Sequence, residues 1–260
     1  MGALSGQVAL VTGAGSPTGI GHAVAARLGR LGARVAVTST TERILDRAAD
    51  LGRAGIEAWG GIADLTDRGA VGELVAGVHE RFGPVGILVN NAGMTQSGAP
   101  EPSGIPFTEM TGEVWDRQLA ISLTTAFNAT HAVVTDMLGE GHGRILFVSS
   151  VTGPVASFAG QSAYAAAKAG LDGLMRTLAV ELGPMGITAN SVAPGWIATG
   201  SSEPHEQRAA EFTPVGRPGT PDEVAALVAF LAGPDAGYVN GQSLVVDGGN
   251  IVQEDHAHGR

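Results

Sequence analysis

The sequence predicts a three-layer α/β protein, a doubly wound parallel sheet with helices on both faces, built as a single domain over residues 1–260. Three observations carry this reading. Short runs of Val, Ile, Leu and Ala alternate with amphipathic stretches along nearly the whole chain. Strands of that composition separated by helices belong to parallel sheets covered on both sides. Hydrophobic residues make up 44% of the chain and charged ones 15%, which supplies a core and argues against disorder. Finally, no Pro- or Ser-rich stretch divides the chain, and no repeat or low-complexity segment interrupts it.

The elements follow in order. Gln7–Thr12 is a buried strand and Ile20–Leu31 the helix after it. Arg34–Thr38 is the second strand, with a helix over Thr41–Ala54. Glu57–Gly61 is a third, weaker strand, and Arg68–Phe82 has helical apolar spacing. Strands Gly86–Asn90, Arg144–Ser149, Gly186–Val192 and Ser243–Asp247 complete the series, with long helices over 113–138 and 162–183. Ser97–Thr108 reads as a loop, as does Thr199–Pro218 around a short helix, and the polar tail Ile251–Arg260 is expected to be mobile. This is a Rossmann-type arrangement, in which ligands sit at the carboxyl ends of the strands.

Composition excludes several functions. A net charge of −10 weighs against nucleic acid and anionic membrane as partners. The absence of cysteine removes disulfides, thiolate catalysis and zinc–sulfur sites. The longest apolar run, Val224 to Leu231, is too short to span a bilayer. The N-terminus lacks a secretory apolar region and a myristoylation signal, so a cytoplasmic protein is expected. His256 and His258 have metal-like spacing but no third ligand in the tail, and no metal is expected. Asn128-Ala129-Thr130 is a glycosylation sequon inside a helix, read as coincidental.

Two features point to chemistry. Glycine is 40 of 260 residues, about twice the usual ~7%, and it concentrates after the first strand in Thr12-Gly13-Ala14-Gly15-Ser16-Pro17-Thr18-Gly19-Ile20-Gly21. Glycines there let backbone N–H groups face a pyrophosphate at a helix N-terminus. The ordinary G-x-G-x-x-G does not fit, because Thr18 stands in the third glycine's place. The second feature is Lys168, the single lysine among 15 basic residues, four after Tyr164, one of two tyrosines. At helical spacing the two share a face. An ammonium ~4 Å from a phenol, at an effective dielectric of ~20, supplies about 4 kcal/mol. As an upper figure before desolvation, that corresponds to a tyrosine pKa lowered by about 3 units, the size needed to exchange protons near neutrality.

Taken together, these residues resemble the short-chain dehydrogenase/reductase family over about residues 5–250, and within it the 3-oxoacyl-carrier-protein reductases. Thr12–Gly21 is similar to the family's T-G-x-x-x-G-x-G turn, lengthened by two residues, and Asn90-Asn91-Ala92-Gly93 to its N-N-A-G. Ser150, Tyr164 and Lys168 match its serine and Y-x-x-x-K. Pro194-Gly195-Trp196-Ile197-Ala198-Thr199 resembles P-G-x-x-x-T, and Asn240-Gly241-Gln242 with Asp247-Gly248-Gly249 its C-terminal signature.

The resemblance implies an NAD(P)-dependent oxidoreductase interconverting a ketone or aldehyde and an alcohol. Tyr164 is then the acid/base, Lys168 its electrostatic partner and ribose ligand, and Ser150 the holder of the substrate oxygen. Ser149 is the competing serine. The cofactor would lie on Gly13, Gly15, Ser16, Thr18, Gly19, Ile20, Gly21, Asp64, Leu65, Asn91, Ala92, Gly93, Pro194, Gly195, Ile197 and Thr199, as well as on Tyr164 and Lys168. The family usually has asparagine where Ser122 stands, and Ser122 is expected to continue a water-borne proton relay from the lysine. No acid occupies 38–41, so Ser39, Thr40 and Arg43 favour NADP(H) over NAD(H), although Glu42 adjoins them.

Trp196, Met94 and Gln96 are substrate-pocket candidates, and Trp196 equally reads as packing. Enoyl reduction on this fold would want a tyrosine seven before the lysine, where Gln161 stands. A catalytically silent nucleotide-binding module is the alternative function, because Ser122 and the lengthened turn depart from the pattern. Members of the family are typically homotetramers, which the helices over 113–138 and 162–183 would build.

Overall fold

The computed structural model of the protein describes residues 2–93, 104–202 and 204–254. Seven strands form one parallel sheet in the order β3-β2-β1-β4-β5-β6-β7: β1 Val8–Thr12, β2 Arg34–Ser39, β3 Ala58–Ile62, β4 Ile87–Asn90, β5 Gly143–Val148, β6 Ile187–Pro194 and β7 Ser243–Val246. The helices are α1 Ile20–Arg30, α2 Arg43–Arg53, α3 Arg68–Phe82, α4 Gly112–Leu119, α5 Thr125–Glu140, α6 Ser162–Leu182, α7 Pro204–Glu211 and α8 Pro221–Ala232.

Alternation along each strand assigns the two cores. In β1, Ala9 and Val11 face a cluster with Val24, Leu28, Ile44 and Val228 from α1, α2 and α8. Val8 and Leu10 face the opposite cluster with Leu74, Val78, Val133 and Met175 from α3, α5 and α6. Strands β1, β4, β5 and β6 are buried along their whole length. That explains their unbroken apolar runs: both faces are covered, so no polar alternation is required.

Two features depart from the sequence expectation. The helix predicted over 113–138 is α4 and α5 joined by one π-helical turn, Ala120–Thr124, which contains Ser122. A π turn inserts one extra residue and re-aims the side chains around it. Thr125 stabilises the junction by donating its hydroxyl to the Ile121 carbonyl at 2.8 Å. The second feature is α8, absent from the predicted elements although its apolar run was noted. Its signal is Thr220-Pro221-Asp222-Glu223, a reciprocal capping box with proline in the first turn. The predicted short helix in Thr199–Pro218 corresponds to α7. Among the described residues, no helix is long and apolar enough to cross a membrane.

Candidate active site

The sheet changes winding direction between β1 and β4, and in open parallel sheets ligands bind in the crevice at such a switch point. Thr12, ending β1, ties the two strand ends together. Its hydroxyl donates to the Val89 carbonyl at 3.3 Å and accepts from the amides of Asn91 and Ala92 at 3.0 Å each. The Asn91 amide returns to the carbonyls of Thr12 and Gly13, both at 3.0 Å. The glycine turn is thereby held against Asn91–Gly93.

That turn is built for close approach. A Cβ on Gly13, whose φ is 68°, would lie 2.8 Å from the Ala92 backbone, and one on Gly21 would lie 2.6 Å from the Asn91 amide nitrogen. Gly19 begins α1 without a side-chain cap, and no acidic residue occupies the first turn. No side chain of the first turn therefore offsets the partial positive charge at the start of α1. These features fit the pyrophosphate of a dinucleotide.

The nucleoside end is formed by β2 and β3. Ser39 closes β2, and its hydroxyl is 3.0 Å from where a Cβ on Gly15 would stand. The Arg43 guanidinium reaches the same place: one terminal nitrogen is 4.0 Å from that point, and Nε donates to the Thr41 hydroxyl at 3.1 Å. Asp64 is exposed just beyond β3, with Oδ1 accepting from the amide and hydroxyl of Thr66 at 2.9 and 2.7 Å. Leu65 is buried, and its carbonyl accepts from the Asn128 amide at 2.9 Å. Asn128, the sequon asparagine, is thus a buried strut.

Ser150, Tyr164 and Lys168 converge beyond the ends of β5 and β4. Of the two candidate serines, Ser150 faces the phenol: it hydrogen-bonds Tyr164 and accepts from the Thr152 amide at 3.0 Å. Ser149 instead donates to the Lys168 carbonyl at 3.3 Å. Tyr164 and Lys168 share one face of α6, with Nζ 5.6 Å from the ring centroid. Tyr164 keeps part of its surface open, whereas Lys168 is buried and donates to the Val148 carbonyl at 2.9 Å.

The electrostatics correct the sequence expectation. The Tyr164 pKa is raised, not lowered: burial disfavours the phenolate, the Ser150 hydrogen bond offsets part of this, and the negative charge of Glu206 on α7 adds to the rise. Lys168 is itself lowered to about 8 by burial, with Asp172 one turn further along α6 pulling it back up. The attraction of the ammonium, an upper figure before desolvation, is outweighed by the cost of removing both groups from water. Val148, Asp172 and Glu206 were not singled out from the sequence. Only Asp172 left a signal there, its i, i+4 spacing from Lys168.

Ser122 is fully buried in the π turn and donates its hydroxyl to the Gly93 carbonyl at 2.8 Å. The expected water relay therefore meets a hydroxyl whose proton is already engaged. Pro194 ends β6, and its carbonyl accepts from the Val151 amide at 3.1 Å, so the segment after β6 is anchored to the Ser150 loop. Ile197 bridges to Gly219, and the Thr199 amide donates to the Ser202 hydroxyl at 2.9 Å. Trp196 stacks at 6.1 Å, tilted by 44°, on Phe158 from the opposite loop. Met94, Gln96, His256 and His258 lie outside the described residues. Asn240 and Gln242 serve the frame: Asn240 bonds Ala189 and Ala179, and the Gln242 amide donates to Asn190.

The comparisons with known proteins agree with this geometry. A family model described as enoyl-(acyl carrier protein) reductase matches residues 13–250. The 3-oxoacyl-(acyl-carrier-protein) reductase FabG of Vibrio cholerae is 39% identical over 250 residues, covering 95% of this chain and 98% of that protein. The short-chain reductase protein NovJ of Streptomyces niveus is 39% identical over 255 residues, covering 94% and 93%. Among solved structures, gox2181 superposes with a TM-score of 0.88 at 36% identity, covering 96% of this chain and 97% of that one. A mutant Serratia marcescens short-chain dehydrogenase/reductase gives 0.86 at 34%, covering 95% and 99%. The chain belongs to the short-chain dehydrogenase/reductase family and is an NAD(P)-dependent oxidoreductase.

Proposed function

We propose that the protein reduces the carbonyl of a small ketone or aldehyde with NADP(H), Tyr164 being the proton donor. The observation that carries this reading is the convergence of Ser150, Tyr164 and Lys168 at the strand ends, beside a glycine turn shaped for a dinucleotide. The bound nicotinamide supplies the hydride. Ser150 holds the substrate oxygen within reach of the phenol. A phenol with a raised pKa is fully protonated at neutral pH, the state a general acid requires. Lys168, at about 8, is still mostly an ammonium at pH 7. It stabilises negative charge developing on the phenol and offers donors to ribose hydroxyls.

Gln161 sits at the N-cap of α6, so no phenol occupies the position that enoyl reduction would use. Arg43 beside Ser39 and Gly15 supports the 2′-phosphate and hence NADP(H), with Asp64 and Leu65 at the adenine. The Trp196–Phe158 pair supports an apolar wall over the substrate. Exposed Phe127 and Leu138 on α5 and Val180 on α6 support burial between copies in a homotetramer.

The test is NADPH consumption by the purified protein across a panel of aliphatic and aryl ketones and aldehydes, with Tyr164→Phe as control. Turnover lost in the variant with nucleotide binding retained supports the assignment. Nucleotide binding without turnover on any carbonyl would favour the silent module.

A further inference from the structure

Ser122 has a second neighbour that the catalytic reading leaves without a role. Gln118, one turn earlier on α4 and half-buried, donates its side-chain amide to the Ser122 hydroxyl oxygen at 2.9 Å. Ser122 in turn donates to the Gly93 carbonyl at 2.8 Å. Both lengths are ordinary for strong hydrogen bonds. A serine hydroxyl has one proton, and a backbone carbonyl can only accept. The Ser122 proton must therefore point to Gly93, and Gln118 must present its NH2 end. With an amide donor filling one side of the oxygen, the hydroxyl rotor has a single orientation.

Gly93 is where this orientation acts. Its φ is 141°, and a Cβ placed on it would lie 3.1 Å from the Ser122 Cα and 3.5 Å from the Lys168 Nζ. The Cβ side of Gly93 thus lies close against both the π turn and the buried ammonium. Its carbonyl receives the one proton that Ser122 has to give, while the two preceding amides are held by Thr12. Ser122 lies in the π turn and Gln118 one turn before it on α4, so the two meet at i, i+4 spacing.

We infer that Gln118 is a positioning residue, whose amide orients the Ser122 hydroxyl onto the Gly93 carbonyl and so holds the Asn91–Gly93 turn against Lys168. The inference rests on the site proposed above for its kinetic consequence, and on the hydrogen bonds alone for its structural one.

Substitution separates the possibilities by chemistry. In Gln118→Leu the bond is lost, but Ser122 keeps its proton and still reaches Gly93 part of the time. In Gln118→Glu the ionised carboxylate has no donor and draws the Ser122 proton to itself, leaving the Gly93 carbonyl without one. The expected order of damage is therefore Glu worse than Leu, the reverse of what isosteric size alone would give.

Hydrogen exchange of the backbone over residues 87–93 in the nucleotide-free full chain reads the structural half. Steady-state kinetics with NADPH read the other. Leucine is expected to raise exchange severalfold and lower kcat about three- to tenfold, the worth of one hydrogen bond, with the carbonyl KM little changed. Glutamate is expected to exceed both effects. In a Ser122→Ala background Gln118→Leu should cost nothing further, because the two act through one bond. Wild-type exchange in both Gln118 variants, or fully additive losses with Ser122→Ala, overturns the inference. Should leucine prevent folding, Gln118→Met at the same half-buried position replaces it. Should the wild-type protein turn over no carbonyl, the catalytic reading fails while the exchange measurement still decides the contact.

Discussion

The Lys168 ammonium lies 5.6 Å from the centroid of the Tyr164 ring and is moored there by the Val148 carbonyl at 2.9 Å. The pair is close enough to interact and buried deeply enough that each loses water in doing so. Burial dominates both acidities, with Ser150 and Glu206 acting on the phenol and Asp172 on the ammonium, and leads to the first two predictions.

In the reductive direction, kcat/KM is expected to stay level through neutral pH and to fall above about 8, where Lys168 loses its proton. The phenol, raised by burial, titrates later and does not set this limb. Tyr164→Phe should lower kcat by at least about a hundredfold, the usual contribution of a positioned acid. A pH–rate profile measures both, and a limb between pH 6 and 7 would show the phenol to be acidified after all.

Burial of Lys168 also makes stability depend on pH. Its folded-state value, about 8, lies below the ordinary 10.5. Between these values the unfolded chain holds a proton that the folded one does not, so stability rises with pH across that window. The gain is on the order of 3 kcal/mol. Urea unfolding of wild-type protein should show it on going from pH 7.5 to pH 10, and Lys168→Met should lack it. Parallel curves for the two proteins would contradict the burial penalty.

Cofactor choice should be decided at the end of β2. Removing the Arg43 guanidinium, in Arg43→Ala, is expected to raise KM for NADPH about tenfold or more and leave NADH nearly unchanged, since one charge-assisted contact is lost. Ser39→Asp should go further and turn preference toward NADH by repelling the 2′-phosphate. Steady-state ratios with the two cofactors provide the check. Equal effects on both would assign Arg43 to the α2 terminus alone.

Helix α8 packs along α1, whose N-terminus faces the proposed pyrophosphate. Its capping box joins the Thr220 hydroxyl to the Glu223 amide at 3.3 Å and the Thr220 amide to the Glu223 carboxylate at 2.8 Å. Arg217 bonds the same carboxylate, first among the contacts that hold its pKa at about 2. Thr220→Ala is expected to cost about 1 kcal/mol, read as a lower urea midpoint with an unchanged slope. The carboxylate's own share is present above its ordinary pKa and is lost as pH falls toward 2. The deficit of the alanine variant should therefore persist down to about pH 4.5.

Much of the site could be read in one dimension because its contacts are local. Tyr164 and Lys168 are four apart on one helix, and Gly13–Gly21 is a strand, a turn and a helix in sequence order. The π turn escaped the reading because one inserted residue barely disturbs apolar spacing over a stretch as short as 113–138. Of the partners of Ser122, Gln118 is four residues away on the same helical stretch, whereas Gly93 is 29 residues away and meets it only in the folded chain. The capping box of α8 was local and visible, yet its meaning depended on recognising the apolar run behind it as a helix.

The amino-acid order by itself determined which groups are present and which neighbours they meet within a turn of helix or at a strand end: the glycine cradle, the phenol, the solitary ammonium and the parallel sheet that carries them. Only the tertiary structure decided how acidic the phenol and the ammonium are, which of Ser149 and Ser150 faces the phenol, and where the Ser122 proton points. The reason is physical. Desolvation and hydrogen-bond direction arise from atoms brought in from every layer of the fold, and such contributions have no signature in the spacing of residues along the chain.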